Sequence, residues 1–275
     1  MSREPLVAVV MPAHDAERYL EEALDSVLAQ TYSNLELVVV DDGSSDSTWS
    51  ILERYASQDA RVRAFRNAHN SGIVETRNRA FREASDDAAY FAVLDSDDVC
   101  MPERIARQVA FLEAHPDHAL VGGNTLIIDE GSRVVGQRVY PQSAEAIRKV
   151  ITRYNPIAQP TVMIRRSALD EVGVYDVRYP RCQDYDLWLR MAARFPIANL
   201  PEMTLKYRIS GTQGKTTHLK ESLRYTIELQ RRWLFHRRFF QPENVAYWVA
   251  EHGLLALPDR LTLWLFKRVT YRPAG

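Results

Sequence analysis

The chain is poor in cysteine and glycine and has no excess of charge of either sign. Two cysteines in 275 residues, Cys100 and Cys182, cannot build a disulfide framework and fit a reducing compartment. Neither lies in a cysteine–histidine motif, so each reads as a small buried side chain rather than a nucleophile. Eleven glycines and the absence of low-complexity stretches or repeats exclude a fibrous or disordered chain. Lys and Arg number 35 against 36 Asp and Glu, a net charge of −1, so no nucleic-acid partner is expected. No apolar run reaches the ~20 residues that a spanning helix needs. Met1–Pro5 leads into an apolar strand without the cleavable region of a signal peptide, so a cytoplasmic protein is expected.

What is present is ordinary globular composition, 46 % hydrophobic and 26 % charged, with two unusual strand ends. Val38-Val39-Val40 runs into Asp41-Asp42-Gly43-Ser44, and Phe91-Ala92-Val93-Leu94 runs into Asp95-Ser96-Asp97-Asp98. An apolar run closing on carboxylates reads as a buried parallel strand opening into a polar crevice. In open α/β sheets ligands bind at such strand ends. Carboxylates without a basic cradle beside them suit a nucleotide base and a divalent cation.

Residues 1–118 alternate strand and helix patterns. Strands are expected at Leu6–Met11, Leu35–Val40, Val62–Phe65 and Tyr90–Leu94. Helices are expected at Glu17–Gln30, Thr48–Ser57, Gly72–Ala84 and from Pro102 to about Glu113. This alternation predicts an α/β fold with a mostly parallel central sheet flanked by helices. Residues 119–218 read as an α+β half that packs on the same sheet and completes the cleft. Its strands are Ala119–Ile128, Arg133–Tyr140 and Thr161–Ile164, and its helices Ala144–Arg153 and Asp184–Ala193. Residues 219–275 read as a helical tail, with helices at Leu219–Phe239, from Pro242 and after Pro258. The tail holds ten Lys/Arg against five Asp/Glu; residues 1–218 hold twenty-five against thirty-one.

Asp95 and Asp97, one residue apart at a strand end, can both reach a hard cation such as Mg²⁺ or Mn²⁺, which prefers oxygen ligands and shares them with phosphates. The same residues also suit a solvated turn in which Asp98 caps the next helix. Asp41 and Asp42 can accept hydrogen bonds from a nucleobase or a ribose. They also suit an Asx-type turn in which Gly43 supplies the unusual dihedrals.

The order of these motifs resembles the family-2 glycosyltransferases. The resemblance is carried by Val9–Leu20 with its Pro12-Ala13-His14-Asp15-Ala16-Glu17 core, Ser26–Tyr32, Val40–Ser44, Asn70-Ser71-Gly72 with Arg77-Asn78, and Leu94–Asp98. It continues through Met101-Pro102, Gly173–Asp176 and Asp184–Arg190, and covers roughly Pro5 to Arg208. The resemblance implies a GT-A fold and an inverting, metal-dependent transfer. The donor would be a nucleotide-diphosphate sugar, a UDP-sugar first among them, and the acceptor a hydroxyl on a glycan, lipid-linked or small molecule in cell-surface polysaccharide or glycoconjugate synthesis. Pro12, Ala13, His14, Asp15, Glu17, Asp41, Asp42 and Gly72 would hold the donor, with Ser96 against the ribose or diphosphate. Arg77 would meet the diphosphate, or serve only as a solvated helix arginine. Asp95 and Asp97 would hold Mn²⁺ or Mg²⁺. Asp184 would be the general base, at a helix start whose dipole favours its ionised form; as a plain helix cap it would need no such role. Asp186 is expected to point elsewhere, and Trp188 and Leu189 to pack in the core.

The chain departs from the family pattern at several positions. Gln183 replaces the usual acid before the base, His14-Asp15 replaces the more usual Tyr-Asn, and Gln159 stands where histidine is frequent. Ile209-Ser210 follows Tyr207-Arg208 where a histidine is common; Lys215 or His218 could compensate, or be plain surface residues. Gln230-Arg231-Arg232-Trp233 is one residue short of the Gln-x-x-Arg-Trp signature of processive synthases. Arg224, Arg231, Arg232, Arg237 and Arg238 with Trp233, Phe235 and Phe239 could form a basic amphipathic surface for the inner face of a membrane, or pack on the domain with solvated arginines. Trp264, Phe266, Lys267 and Arg268 allow the same two readings. The rival functional class is a non-catalytic sugar-nucleotide-binding or scaffold protein on the same fold. Phosphoryl transfer through Asp95 ranks last, because the Asp-x-Asp-Gly-Thr context of such phosphatases is missing.

Overall fold

The computed structural model describes residues 4–209, 219–258, 261–262 and 272–273. Lys215, His218, the segment after Pro258 that was expected to be helical beyond residue 262, and Trp264, Phe266, Lys267 and Arg268 lie outside the described residues.

Four parallel strands form the first half of the sheet: β1 (Leu6–Ala13), β2 (Leu35–Asp41), β3 (Val62–Arg66) and β4 (Ala88–Val93), in the order β3-β2-β1-β4. Their side chains alternate between two buried faces, which is why the strands read as unbroken apolar runs. Val7, Val9, Met11, Leu37 and Val39 face one layer with Leu20, Leu24, Ile105 and Leu112. Ala8, Val10, Val38 and Val40 face the other with Val74, Phe81 and Trp188. The helices between the strands are α1 (Leu20–Leu28), α2 (Thr48–Gln58), α3 (Ile73–Glu83) and α4 (Arg104–Ala114). In α1 the buried residues Leu20, Ala23, Leu24 and Val27 recur at helical spacing.

The second half bears out the expected α+β half and makes the sheet mixed rather than purely parallel. The short β5 (Val99–Cys100) precedes α4, and β6 (Leu120–Ile128) and β7 (Val134–Arg138) form an antiparallel hairpin after it. β8 (Met163–Arg165) inserts between β4 and β6 and pairs antiparallel with both. The longest strand, β9 (Ile197–Arg208), runs parallel to β6 and antiparallel to β5. Sequence reading misses β9 because Pro201 interrupts the run, and proline inside a strand pattern argues against a strand. The register jumps there, from Gly123 opposite Leu200 to Asn124 opposite Met203, so Pro201 and Glu202 are bulged out. A two-residue strand, β10 (Arg272–Pro273), pairs with β7.

Helices α5 (Ala144–Val150), α6 (Arg166–Val172) and α7 (Gln183–Ala192) cover this half; α6 was not foreseen. The tail helices α8 (Leu219–Trp233) and α9 (Pro242–Ala256) pack on it. Ile227, Leu229, Leu234 and Phe239 are buried, and Gln230 donates to Arg153 O at 2.8 Å. Phe235, in contrast, is 71 % exposed. Cys100 and Cys182 are buried, and Trp188 and Leu189 are fully buried. Among the described residues no helix is long and apolar enough to cross a membrane.

Candidate active site

Strand register brings the first acidic cluster level with the opening segment. Asp41 stands opposite Ala13, and Asp42 N donates to Ala13 O at 2.8 Å. Leu94 N donates to Val10 O at 3.1 Å, so the second cluster leaves the neighbouring strand at the same end of the sheet. A cleft of about 500 Å³ opens there. Of the expected site residues, Pro12, Ala13, His14, Asp15, Asp42, Arg77, Asp95, Ser96 and Asp97 line it, joined by Arg18, Tyr19, Asn70, Ile73 and Thr76. Glu17, Asp41, Gly72 and Asp184 do not.

The opening segment is laced to the loop after β2. Asp15 N donates to Ser44 Oγ at 2.9 Å, and Asp15 Oδ1 accepts from Ser45 N at 2.9 Å. That bond, aided by His14, holds the Asp15 carboxyl below its ordinary value, against a smaller effect of desolvation. Asp15 sits at φ 44°, a left-handed conformation that Asp and Asn enter more readily than most residues. Glu17 Oε2 accepts from Ser47 N at 3.0 Å, beside the start of α2. Asp41 is buried, accepts from Ser44 Oγ and Ser44 N, and pairs with Arg66 Nε at 3.0 Å. Gly43 turns the chain at φ +69°, and a Cβ there would lie 2.9 Å from the backbone carbon of His69.

Asp42 does the equivalent work for the loop before α3. Its Oδ1 accepts from Asn67 Nδ2 at 2.7 Å and Ser71 N at 2.8 Å, and Oδ2 accepts from Gly72 N at 2.9 Å. Burial opposes its charge, but these donors outweigh burial and hold its carboxyl below the ordinary value. Gly72, at φ +87°, precedes the first residue of α3. Asn70 meets His14 Nε2 at 2.9 Å, so the two loops close over the cleft floor.

The Asp95–Asp98 turn is pinned from behind by β9. Arg208, fully buried, donates through Nε to Asp97 O at 2.8 Å, through Nη1 to Ser132 Oγ at 2.9 Å and Asp129 O at 3.1 Å, and through Nη2 to Glu22 Oε2 at 2.5 Å. Its backbone N donates to Asp98 Oδ1 at 2.8 Å, and its guanidinium lies 4.2 Å from the Tyr19 ring centre. Arg18 at the cleft pairs with Glu130 of the hairpin turn at 2.9 Å. Sequence reading treated Arg208 as the end of a motif; its clasping role depends on three distant segments.

Arg77 crosses the cleft from the base of α3. It is 6 % exposed, and Nη2 pairs with Asp95 Oδ1. Nη1 lies 2.7 Å from the Gln183 amide oxygen, in the orientation where that amide nitrogen donates to Pro180 O at 3.1 Å. Burial opposes its charge, but Asp95, Tyr175 and Asp184 together keep the guanidinium pKa above its ordinary value. The solvated-arginine reading of Arg77 therefore fails. Asp184, in the first turn of α7, accepts from Asn155 Nδ2 at 2.8 Å. Asp186 is buried and bound to Arg190 Nε at 2.7 Å, so it points elsewhere as expected. No local sequence pattern marks Asn155 as the partner of Asp184. Gln159 is also buried, donating to Tyr175 Oη at 3.2 Å.

Asp95 and Asp97 offer the cleft only oxygen donors, and among the described residues no group of three or more His, Cys, Asp or Glu could hold an ion by itself. Two carboxylates fit a hard cation that completes its shell with water and substrate phosphate.

The profile of Glycosyl transferase family 2 matches residues 8–173, more than half of the chain. An uncharacterized glycosyltransferase of Haemophilus influenzae is 30 % identical, over 92 % of this chain and 77 % of its own. The Escherichia coli UDP-Glc:alpha-D-GlcNAc-diphosphoundecaprenol beta-1,3-glucosyltransferase WfgD is 31 % identical, over 83 % of this chain and 84 % of its own. Among solved structures, the mannosyltransferase PcManGT from Pyrobaculum calidifontis in complex with GDP-Man and Mn²⁺ superposes with a TM-score of 0.64 at 17 % identity, covering 98 % of this chain and 81 % of that one. The fold is of the GT-A type, with its sheet mixed as described. The chain belongs to glycosyltransferase family 2.

Proposed function

We propose that the chain is an inverting glycosyltransferase that moves a sugar from a nucleotide-diphosphate donor, a UDP-sugar first among them, to a hydroxyl on a lipid-linked glycan precursor. The observation that carries the reading is the arrangement of carboxylates. Asp95 and Asp97 line the cleft, while Asp184 stands outside its lining and acts electrostatically on Arg77, which reaches Asp95. Inversion needs this division, with the nucleotide leaving on one side of the sugar and a base meeting the acceptor hydroxyl on the other.

The nucleoside would lie against Pro12–Asp15 and Asp42. Hydrogen bonds from Asn67, Ser71 and Gly72 orient the Asp42 carboxylate, which would accept from a base N–H or a ribose hydroxyl. Glu17, Asp41 and Gly72 support this surface from behind, and Ser96 faces the ribose or diphosphate. Asp95 and Asp97 would hold Mn²⁺ or Mg²⁺, which when bound neutralises charge on the departing diphosphate. Asp184 accepts the acceptor proton as the new glycosidic bond forms, held in place by Asn155.

The UDP donor and diphosphate-lipid acceptor follow WfgD, whose name states both. Such an acceptor implies work at the inner membrane face. Phe235, 71 % exposed among Arg231, Arg232, Arg237 and Arg238, supports peripheral contact through the tail. The division that fits this reading is a catalytic domain over 1–218 and a C-terminal tail over 219–275, whose described residues form α8 and α9 and the short β10.

A panel of UDP- and GDP-sugars screened with Mn²⁺ for thermal stabilisation should identify the donor. Transfer from it to a short-chain diphosphate-lipid GlcNAc should give a product of inverted anomeric configuration by NMR. A retained configuration would overturn the reading, and stabilisation without any transfer would favour the binding-protein rival. Sedimentation with anionic vesicles at low salt tests the membrane contact, and no binding would remove it.

A further inference from the structure

Arg77 and a divalent cation both need Asp95. The guanidinium is buried, its charge is permanent, and one of its terminal nitrogens is on Asp95 Oδ1. The other is 2.7 Å from the amide oxygen of Gln183. Gln183 is itself buried and fixed by its second bond to Pro180 O, so it cannot turn away from Arg77 without losing that bond.

Resting on the reading of Asp95 and Asp97 as the cation pair, we propose that Arg77 is a latch on the cation site: it competes with the ion for Asp95, and Gln183 keeps that competition in force by being neutral. A hydrogen-bonding amide at 183 orients Arg77 without offsetting its charge. A carboxylate there would give Arg77 a second anion, relieve Asp95 and add negative charge near the ion. The free protein therefore binds the cation weakly. The anionic diphosphate of the donor offsets the guanidinium and lets the ion settle on Asp95, so donor and metal enter together. Arg77 is thus a positioning residue for the cation, and the family's more usual acid before the base would weaken the latch.

The test is Mn²⁺ titration of the full chain, followed by electron paramagnetic resonance of the free ion, without any donor. Arg77→Gln should tighten Mn²⁺ binding by about tenfold, as expected when a charge a few ångströms from the ion is removed. Gln183→Glu should tighten it by about threefold on the same grounds. A merely structural Arg77 would give the opposite sign, because its loss would loosen the site. Thermal melts establish which variants fold; if Arg77→Gln does not, Gln183→Glu carries the test alone. A folded variant that binds Mn²⁺ no more tightly than the wild type overturns the latch while leaving the cation pair intact. If neither the wild type nor the variants bind Mn²⁺ without donor, the latch falls; if none binds it with a UDP-sugar present either, the cation pair falls too.

Discussion

Asn155 donates its side-chain amide to Asp184 Oδ2 at 2.8 Å, across 29 positions of sequence. The bond orients the carboxylate proposed as the base, while Asn155 Oδ1 accepts from Ile157 N at 3.2 Å and steadies the loop. Base catalysis is sensitive to such placement, because a proton acceptor displaced by an ångström loses much of its effect.

Asn155→Ala is therefore expected to lower kcat by about tenfold while leaving the KM for the sugar nucleotide unchanged. Steady-state kinetics with donor and acceptor varied separately would check this. A change confined to donor KM would assign Asn155 to the donor side.

Asp42 links charge to stability. Its carboxyl is held below the ordinary 3.8 in the folded chain and returns to it on unfolding. The stabilisation is thus fully present above about pH 4 and is lost as the pH falls through the lowered folded value. Asp42→Asn should cost about 2 kcal/mol at pH 7, since it weakens charge-assisted bonds to Asn67, Ser71 and Gly72. Urea unfolding at pH 7 and pH 3 would show the gap narrowing in acid.

Glu251 of α9 has the opposite sign. Burial pushes its carboxyl up to about 7 from 4.5, against weaker effects of Gln230 and His252. The unfolded chain ionises first, so stability falls as pH rises from about 4.5 to about 7 and levels off above. Glu251→Gln should remove that slope and raise stability at pH 8 by roughly 2 kcal/mol, read by thermal melts across pH.

The strand ends and their carboxylates were legible because they depend on local pattern. Apolar runs such as Val38–Val40 mark buried parallel strands, and the aspartates that follow mark where the strands open. Distant pairings were not legible. β9 hides behind Pro201, the strand near Thr161–Ile164 was readable but not its place between β4 and β6, and the roles of Asn155 and Arg208 arise only when segments 29 to 186 positions apart meet. Arg77 illustrates the middle case: its helix was readable, but its burial between Asp95 and Gln183 required the fold.

The most direct test of the central claim is Asp184→Asn, compared with the wild type by calorimetric donor titration in Mn²⁺ and by transfer rate. An amide cannot take the acceptor proton, so transfer should fall by at least about a thousandfold, while donor affinity stays within about twofold because Asp184 does not line the donor cleft. Wild-type turnover in Asp184→Asn would contradict the account.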